Sequence, residues 1–167
     1  MNTNYRNQKW KELSAQRMTR ILYTTDLIAN LSSHNYEYEE EWLIFLLESF
    51  NQKGEEIKKI FVEPETRTEN NLSSDFLIPN VPDIETLNKK QKKFIEIAQK
   101  RMSNLYKELN YLSRLANTKN YTYDLMDVDY LFEIYDAKGL ELKKWFPPFK
   151  NERIENDINI SNYPSEG

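Results

Sequence analysis

The chain nearly repeats itself, and this constrains its fold more than any other feature. Arg17-Met18 returns as Arg101-Met102, an offset of 84 residues, and Tyr36 returns as Tyr121, an offset of 85. One residue has therefore been inserted ahead of the second Asn-Tyr loop. Before the loop, Lys9, Glu12 and Leu31 match Lys93, Glu96 and Leu115; after it, Leu46, Glu48, Gly54, Lys58 and Phe61 match Leu131, Glu133, Gly139, Lys143 and Phe146. Trp10/Phe94, Ile21/Leu105, Ile28/Leu112 and Phe50/Tyr135 keep their apolar character. Self-similarity at a fixed period is the mark of a duplicated supersecondary unit.

Each copy reads as helix, loop, helix. Apolar residues recur at three- and four-residue steps through Trp10, Leu13, Ile21, Ile28 and Leu31, then through Trp42, Leu46, Phe50, Ile57 and Ile60. The second copy repeats this with Phe94, Ile97, Leu105, Leu109 and Leu112, then Val128, Leu131, Phe132, Tyr135 and Leu142. A lone helical hairpin buries too little to be stable, so the expected fold is all-α. Two duplicated αα-hairpins, residues 1–61 and 83–149, form one four-helix bundle domain with approximate two-fold symmetry. Residues 62–82, rich in Pro, Asn, Ser and Thr, read as a linker in which Asp-Phe-Leu-Ile-Pro at 75–79 is apolar enough to dock on the bundle. Asp83 is expected to cap the third helix, making it about two turns longer than its counterpart. Pro-Pro-Phe after Phe146 should stop the last helix, leaving residues 150–167 as a flexible tail.

The motif Asn35-Tyr36-Glu37-Tyr38 returns as Asn120-Tyr121-Thr122-Tyr123. A structural role accounts for it: Asn35 and Asn120 would adopt the left-handed conformation that ends a helix, and the tyrosines would lock the loop with buried rings and hydrogen-bonding hydroxyls. Asp124 and Asp127 have the spacing of a cap and its reciprocal partner at the following helix.

Composition narrows function mostly by exclusion. The 167 residues carry a formal net charge of −4, which gives no global attraction to nucleic acid or an anionic membrane. No cysteine is present, so disulfides and thiolate chemistry are excluded. The polar N-terminus lacks the core of a secretory signal and no run reaches a spanning length, so the expectation is a soluble, cytoplasmic protein that does not engage membranes.

Arg20, Asn30-Leu31-Ser32, Tyr36, Tyr38 and Phe61 form an Arg…Asn-Leu-Ser…Tyr-x-Tyr…Phe pattern. It resembles one found in uncharacterised short helical proteins of bacteria, plasmids and phages. The second copy keeps the tyrosine pair but has Arg114 and Ala116 where Asn30 and Ser32 stand. The resemblance implies an accessory role in a mobile element and brings no activity with it.

Candidate chemistry is sparse. A di-metal bundle site needs Glu-x-x-His pairs, and the one histidine, His34, falls in a loop. Asp129, Glu133 and Asp136 lie on one helical face, with Glu48 as the repeat partner of Glu133. They would be the ligands if the protein were a Mg²⁺-dependent helical nucleotide hydrolase. Three scattered glycines cannot build a phosphate-cradling loop. The remaining feature is a basic patch, Lys89, Lys90, Lys92 and Lys93, able to meet phosphates or an acidic partner, with Glu85 and Glu96 as possible local counter-charges. The expected function is a non-enzymatic interaction or regulatory module. Its partner would be another protein or a second copy, with no cofactor; a nucleic-acid-associated accessory role is the first alternative.

Overall fold

In a computed structural model the chain is described over residues 3–68 and 72–147. Of the expected tail, residues 150–167 lie outside that range. Among the described residues the chain forms four long helices and no strand: α1 (Thr3–Ala29), α2 (Glu40–Val62), α3 (Lys89–Leu112) and α4 (Leu125–Lys144). They pack as an all-α bundle around one core.

Two of the helices, α3 and α4, begin in reciprocal side-chain caps. Asp124 accepts from the Asp127 backbone N–H while Asp127 accepts from that of Asp124, closing the capping box that the spacing suggests. The third helix differs from expectation. Ile84–Thr86 form a separate 3₁₀ turn, Ile84 is exposed, and the cap is Asn88, in a reciprocal box with Gln91. Asp83 therefore caps no α-helix, and α3 begins at Lys89, giving it 24 residues against 27 for α1. Neither Asn35 nor Asn120 is left-handed; among the described residues Asn80 is the non-glycine residue with positive φ. The first helix of each copy ends by tightening into a 3₁₀ turn, Asn30–Ser32 and Ser113–Ala116. Bonds from Ser33 N–H to the Asn30 carbonyl and from Asn117 N–H to that of Arg114 close these turns without a left-handed residue.

The packing partners are the main finding. Extensive contacts run between the copies, α1 with α3 and α4, and α2 with α3 and α4, so the two helices of one copy stand on opposite corners of the bundle. Arg17 meets residue 111 while Arg101 meets residue 27, so α1 and α3 are antiparallel. Lys11 lies near Asp127 and Asp26 near Lys138, so α1 and α4 are parallel. Trp42 packs on Phe94 and Lys53 on Tyr106, making α2 and α3 parallel in turn. The two copies interlock instead of stacking as closed hairpins.

Repeat-related contacts are exchanged reciprocally. The Arg17 guanidinium donates to the Tyr111 carbonyl (3.1 Å) and Arg101 to the Leu27 carbonyl (2.7 Å), each serving the last turn of the other's helix, where carbonyls lack intrahelical partners. Phe50 and Tyr135 stack at 4.4 Å and 3°, and the Tyr135 hydroxyl donates to the Phe50 carbonyl (2.7 Å). Gly54 faces the Tyr135 ring and Gly139 the Phe50 ring, so the α2–α4 crossing admits no Cβ at either position without displacement. A local two-fold axis runs between these rings.

Because α2 and α3 are parallel, the chain between them must travel the length of the bundle. It does so as a docked strap. Phe76 and Ile78 are buried, with Phe76 between Phe45 and Tyr106. The extended backbone is satisfied from the helices. Ser103 Oγ accepts from Phe76 N–H (3.1 Å), Gln99 Oε1 accepts from Ile78 N–H (3.0 Å), Asn110 Nδ2 donates to the Leu72 carbonyl (2.6 Å), and Lys53 Nζ donates to that of Ser73 (3.3 Å). Burial of Phe76 alone is worth about 1.5–3 kcal/mol.

Candidate functional site

The tyrosine motif is structural in geometry and lies across the copy boundary. Tyr123 stacks on Trp10 (5.3 Å, 24°), meets Phe61 edge-on and donates its hydroxyl to the Phe61 carbonyl at 2.7 Å. Its counterpart Tyr38 packs on Phe94 and Phe146, the repeat partners of Trp10 and Phe61, but its hydroxyl has no partner among the described residues. Burial pushes both hydroxyls above the ordinary tyrosine range. Tyr36 and Tyr121 are half-buried at the loops, and Asn35 and Asn120 are exposed beside them.

The expected metal ligands do not converge. Among the described residues, no three His, Cys, Asp or Glu side chains come together to hold an ion. Asp129, Glu133 and Asp136 project from the exposed face of α4, and Asp129 pairs with Lys58 (3.3 Å). The antiparallel α2–α4 register sets Gly54 against Tyr135 and Gly139 against Phe50, which carries Glu48 along α2 away from its repeat partner Glu133. His34 is exposed.

Lys89, Lys90, Lys92 and Lys93 do cluster, on the first turn of α3. All four are exposed, and that turn contains no acidic residue. The Lys93 ammonium lies 5.4 Å from the Tyr36 ring centre, and the Lys90 carbonyl accepts from the Glu37 N–H. None of the four forms an ion pair among the described residues, so Glu85 and Glu96 do not neutralise them. Cations here oppose the helix dipole, whose positive end is at the N-terminus.

One apolar concave surface was not read from the sequence. A groove of about 510 Å³ runs between the parallel helices α1 and α4. Ser14, Ala15 and Met18 form its floor, Leu22, Tyr130 and Ile134 its walls, and Lys11 and Asp127 one end. Small residues create it. Ser14 turns its hydroxyl back to the Lys11 carbonyl (3.2 Å), and Ala15 offers only a methyl group. Trp10 is 2% exposed, and its indole N–H has no acceptor among the described residues. Tyr130 is 67% exposed, and Met126, one turn earlier on α4, is 74% exposed, adding apolar surface to the same side of the helix. Apolar residues lying off the buried stripe of α4, opposite small residues on α1, were the available sequence signal.

A second, more polar cleft between α1 and α3 holds Arg17, Arg20, Lys107, Glu108 and Tyr111. Tyr111 lies between two guanidinium groups, Arg17 at 3.8 Å and Arg114 at 5.2 Å from its ring centre. Burial raises the Glu108 carboxyl above its usual range, against the opposing pull of the Thr24 hydroxyl and Arg20. On the far side, burial would lower the Lys138 ammonium, but bonds to Asp26 and Glu141 raise it overall.

Among the described residues the fold and groove thus define an all-α four-helix bundle with an open apolar cleft on one face. Compared with family models, curated proteins and solved structures, the chain matches none. No helix among the described residues is long and apolar enough to cross a membrane.

Proposed function

We propose that the chain is a non-catalytic protein-interaction module whose α1–α4 groove takes an extended peptide segment with apolar anchors. One observation carries this reading. The local two-fold relates the groove to the α2–α3 surface, and there the chain already seats such a segment, Leu72–Ile78. Thr19, Leu22 and Tyr130 stand where Ser103, Tyr106 and Phe45 hold the strap. Both surfaces are clefts between parallel helices, which suits an extended ligand better than a compact one.

The test is titration of the intact protein with a fluorescent peptide carrying the strap sequence, residues 71–82. A segment this short buries well under the roughly 800 Å² per partner of a stable interface, so a dissociation constant of about 10–100 μM is expected. Ala15→Glu, an exposed position on the floor, should abolish binding, whereas Lys100→Glu on α3 should not. Absence of binding, or binding indifferent to Ala15→Glu, would refute the reading.

A second reading has its own observation. Four lysines without carboxylate partners at a helix N-terminus favour a nucleic-acid-associated role. Phosphate contact requires affinity for nucleic acid to fall steeply between 50 and about 200 mM salt and to drop on Lys→Glu at 89, 90 and 92. Salt-insensitive binding would eliminate it.

A further inference from the structure

The strap has a sequence counterpart. Arg67-Thr-Glu-Asn-Asn-Leu72 returns as Arg153-Ile-Glu-Asn-Asp-Ile158, an offset of 86, and Ile78-Pro79 returns as Tyr163-Pro164, an offset of 85. The duplication therefore includes the segment after each second helix. In the first copy that segment fills the groove formed by α2 and α3. By the local two-fold, the corresponding segment of the second copy belongs on α4 and α1, where the open groove lies.

Resting on the reading of that groove as a peptide site, we infer that residues 153–164 of the same chain are its resident occupant, displaced when a partner segment binds. Several groups required for seating are already in place. Thr19 carries a hydroxyl where Ser103 accepts from the Phe76 backbone, and Lys138 stands where Lys53 donates to the Ser73 carbonyl. Ile158 and Tyr163 repeat the apolar positions of Leu72 and Ile78. Trp10 is among the residues lining the groove, and its buried indole N–H has no acceptor among the described residues, whereas Phe94, its repeat partner, has no donor to satisfy. The cis arrangement follows from the first copy, in which the strap docks on the helix that precedes it in the same chain, Lys53 of α2 donating to the Ser73 carbonyl.

The differences explain why this occupant would be displaceable. Gln99, which accepts from Ile78 N–H, is replaced by Ala15, and Asn110, which donates to the Leu72 carbonyl, is replaced by Asp26, a carboxylate that cannot donate. Lys138 is also shared with Asp26 and Glu141. The second segment thus has fewer backbone partners than the strap and exchanges with external peptides.

The absence of cysteine allows a direct test in the full chain. Ala15→Cys with Tyr163→Cys, the counterparts of Gln99 and the buried Ile78, should form an intramolecular disulfide far faster than the control pair Lys100→Cys with Tyr163→Cys. Equal rates, or a bond only between molecules, would overturn the inference. In parallel, Ile158→Asp with Tyr163→Asp should tighten binding of the strap peptide about tenfold if the segment occupies the groove about 90% of the time. If affinity is unchanged while Ala15→Glu still abolishes binding, the resident segment is wrong and the groove reading stands. Peptide binding to neither form, together with an unselective trap, would remove both.

Discussion

Replacement of Gly54 by alanine should destabilise this protein, although the same change in most helices would stabilise it. Alanine is favoured over glycine in a helix interior by about 0.8–1 kcal/mol. Here the new Cβ would run into the edge of the Tyr135 ring, overlapping Cε2 and standing 2.8 Å from Cδ2. The ring cannot simply move aside. Its face is stacked on Phe50 at 4.4 Å, its hydroxyl is bonded to the Phe50 carbonyl at 2.7 Å, and it is 0% exposed. Overpacking of this kind costs about 1–3 kcal/mol. If the ring tilts enough to break its hydrogen bond, a buried unsatisfied hydroxyl adds ~1–3 kcal/mol. After the helix-propensity gain, the net loss is about 2 kcal/mol, or roughly 4–8 °C in Tm for a chain of this size. Thermal melting by circular dichroism and urea unfolding at constant m would measure it. The overlap at Gly139 is milder, with its Cβ 2.8 Å from Phe50 Cε1, so Gly139→Ala should lose less. Introducing Gly54→Ala into a Tyr135→Leu background should remove the penalty, since the obstructing ring is gone. A melting temperature equal to or above the parent's for Gly54→Ala alone would refute the close-crossing argument.

Three further outcomes can be checked alongside. Tyr123→Phe removes the bond to the Phe61 carbonyl and should reduce stability by about 1 kcal/mol, whereas Tyr38→Phe should be near neutral, as measured by urea unfolding. Asn88→Ala opens the capping box of α3 and should reduce stability by ~1 kcal/mol, with faster amide exchange confined to the first turn of that helix. Glu108 has a folded pKa above its unfolded value, so its favourable contribution is complete below about pH 4.5 and is lost as pH rises through the folded pKa. Glu108→Gln should therefore be at least as stable as the parent at pH 7 and should flatten the stability profile above pH 4.5; a profile unchanged by the substitution would count against the assignment.

The division between sequence and tertiary structure is visible in particular residues. Asp124 and Asp127 cap α4 as their spacing implies, because capping depends on a few neighbouring atoms, whereas the close crossing at Gly54 and Gly139 is set by rings on the opposite helix. The expected cap at Asp83 gives way to Asn88, because a 3₁₀ turn and the strap's route take up Ile84–Thr86. The left-handed asparagines gave way to 3₁₀ endings closed by i to i+3 bonds. The groove was illegible because Ser14, Ala15 and Thr19 look like ordinary polar or small helix positions until α4 is placed beside them.

By itself the sequence determined a nearly repeating helix–loop–helix pattern, its apolar stripes, the cap of α4 and the recurrence of the tyrosine motif. Those properties follow from local periodicity and short-range hydrogen bonding. Only the tertiary structure decided that each helix packs against the other copy, that Tyr123 serves Phe61 across that boundary, and that, among the described residues, one inter-helix surface is filled while its counterpart is open. Periodicity identifies which face of a helix is buried but not which helix covers it. That choice is made by shape and by the reach of side chains such as Arg17, Arg101 and Tyr135 across the bundle.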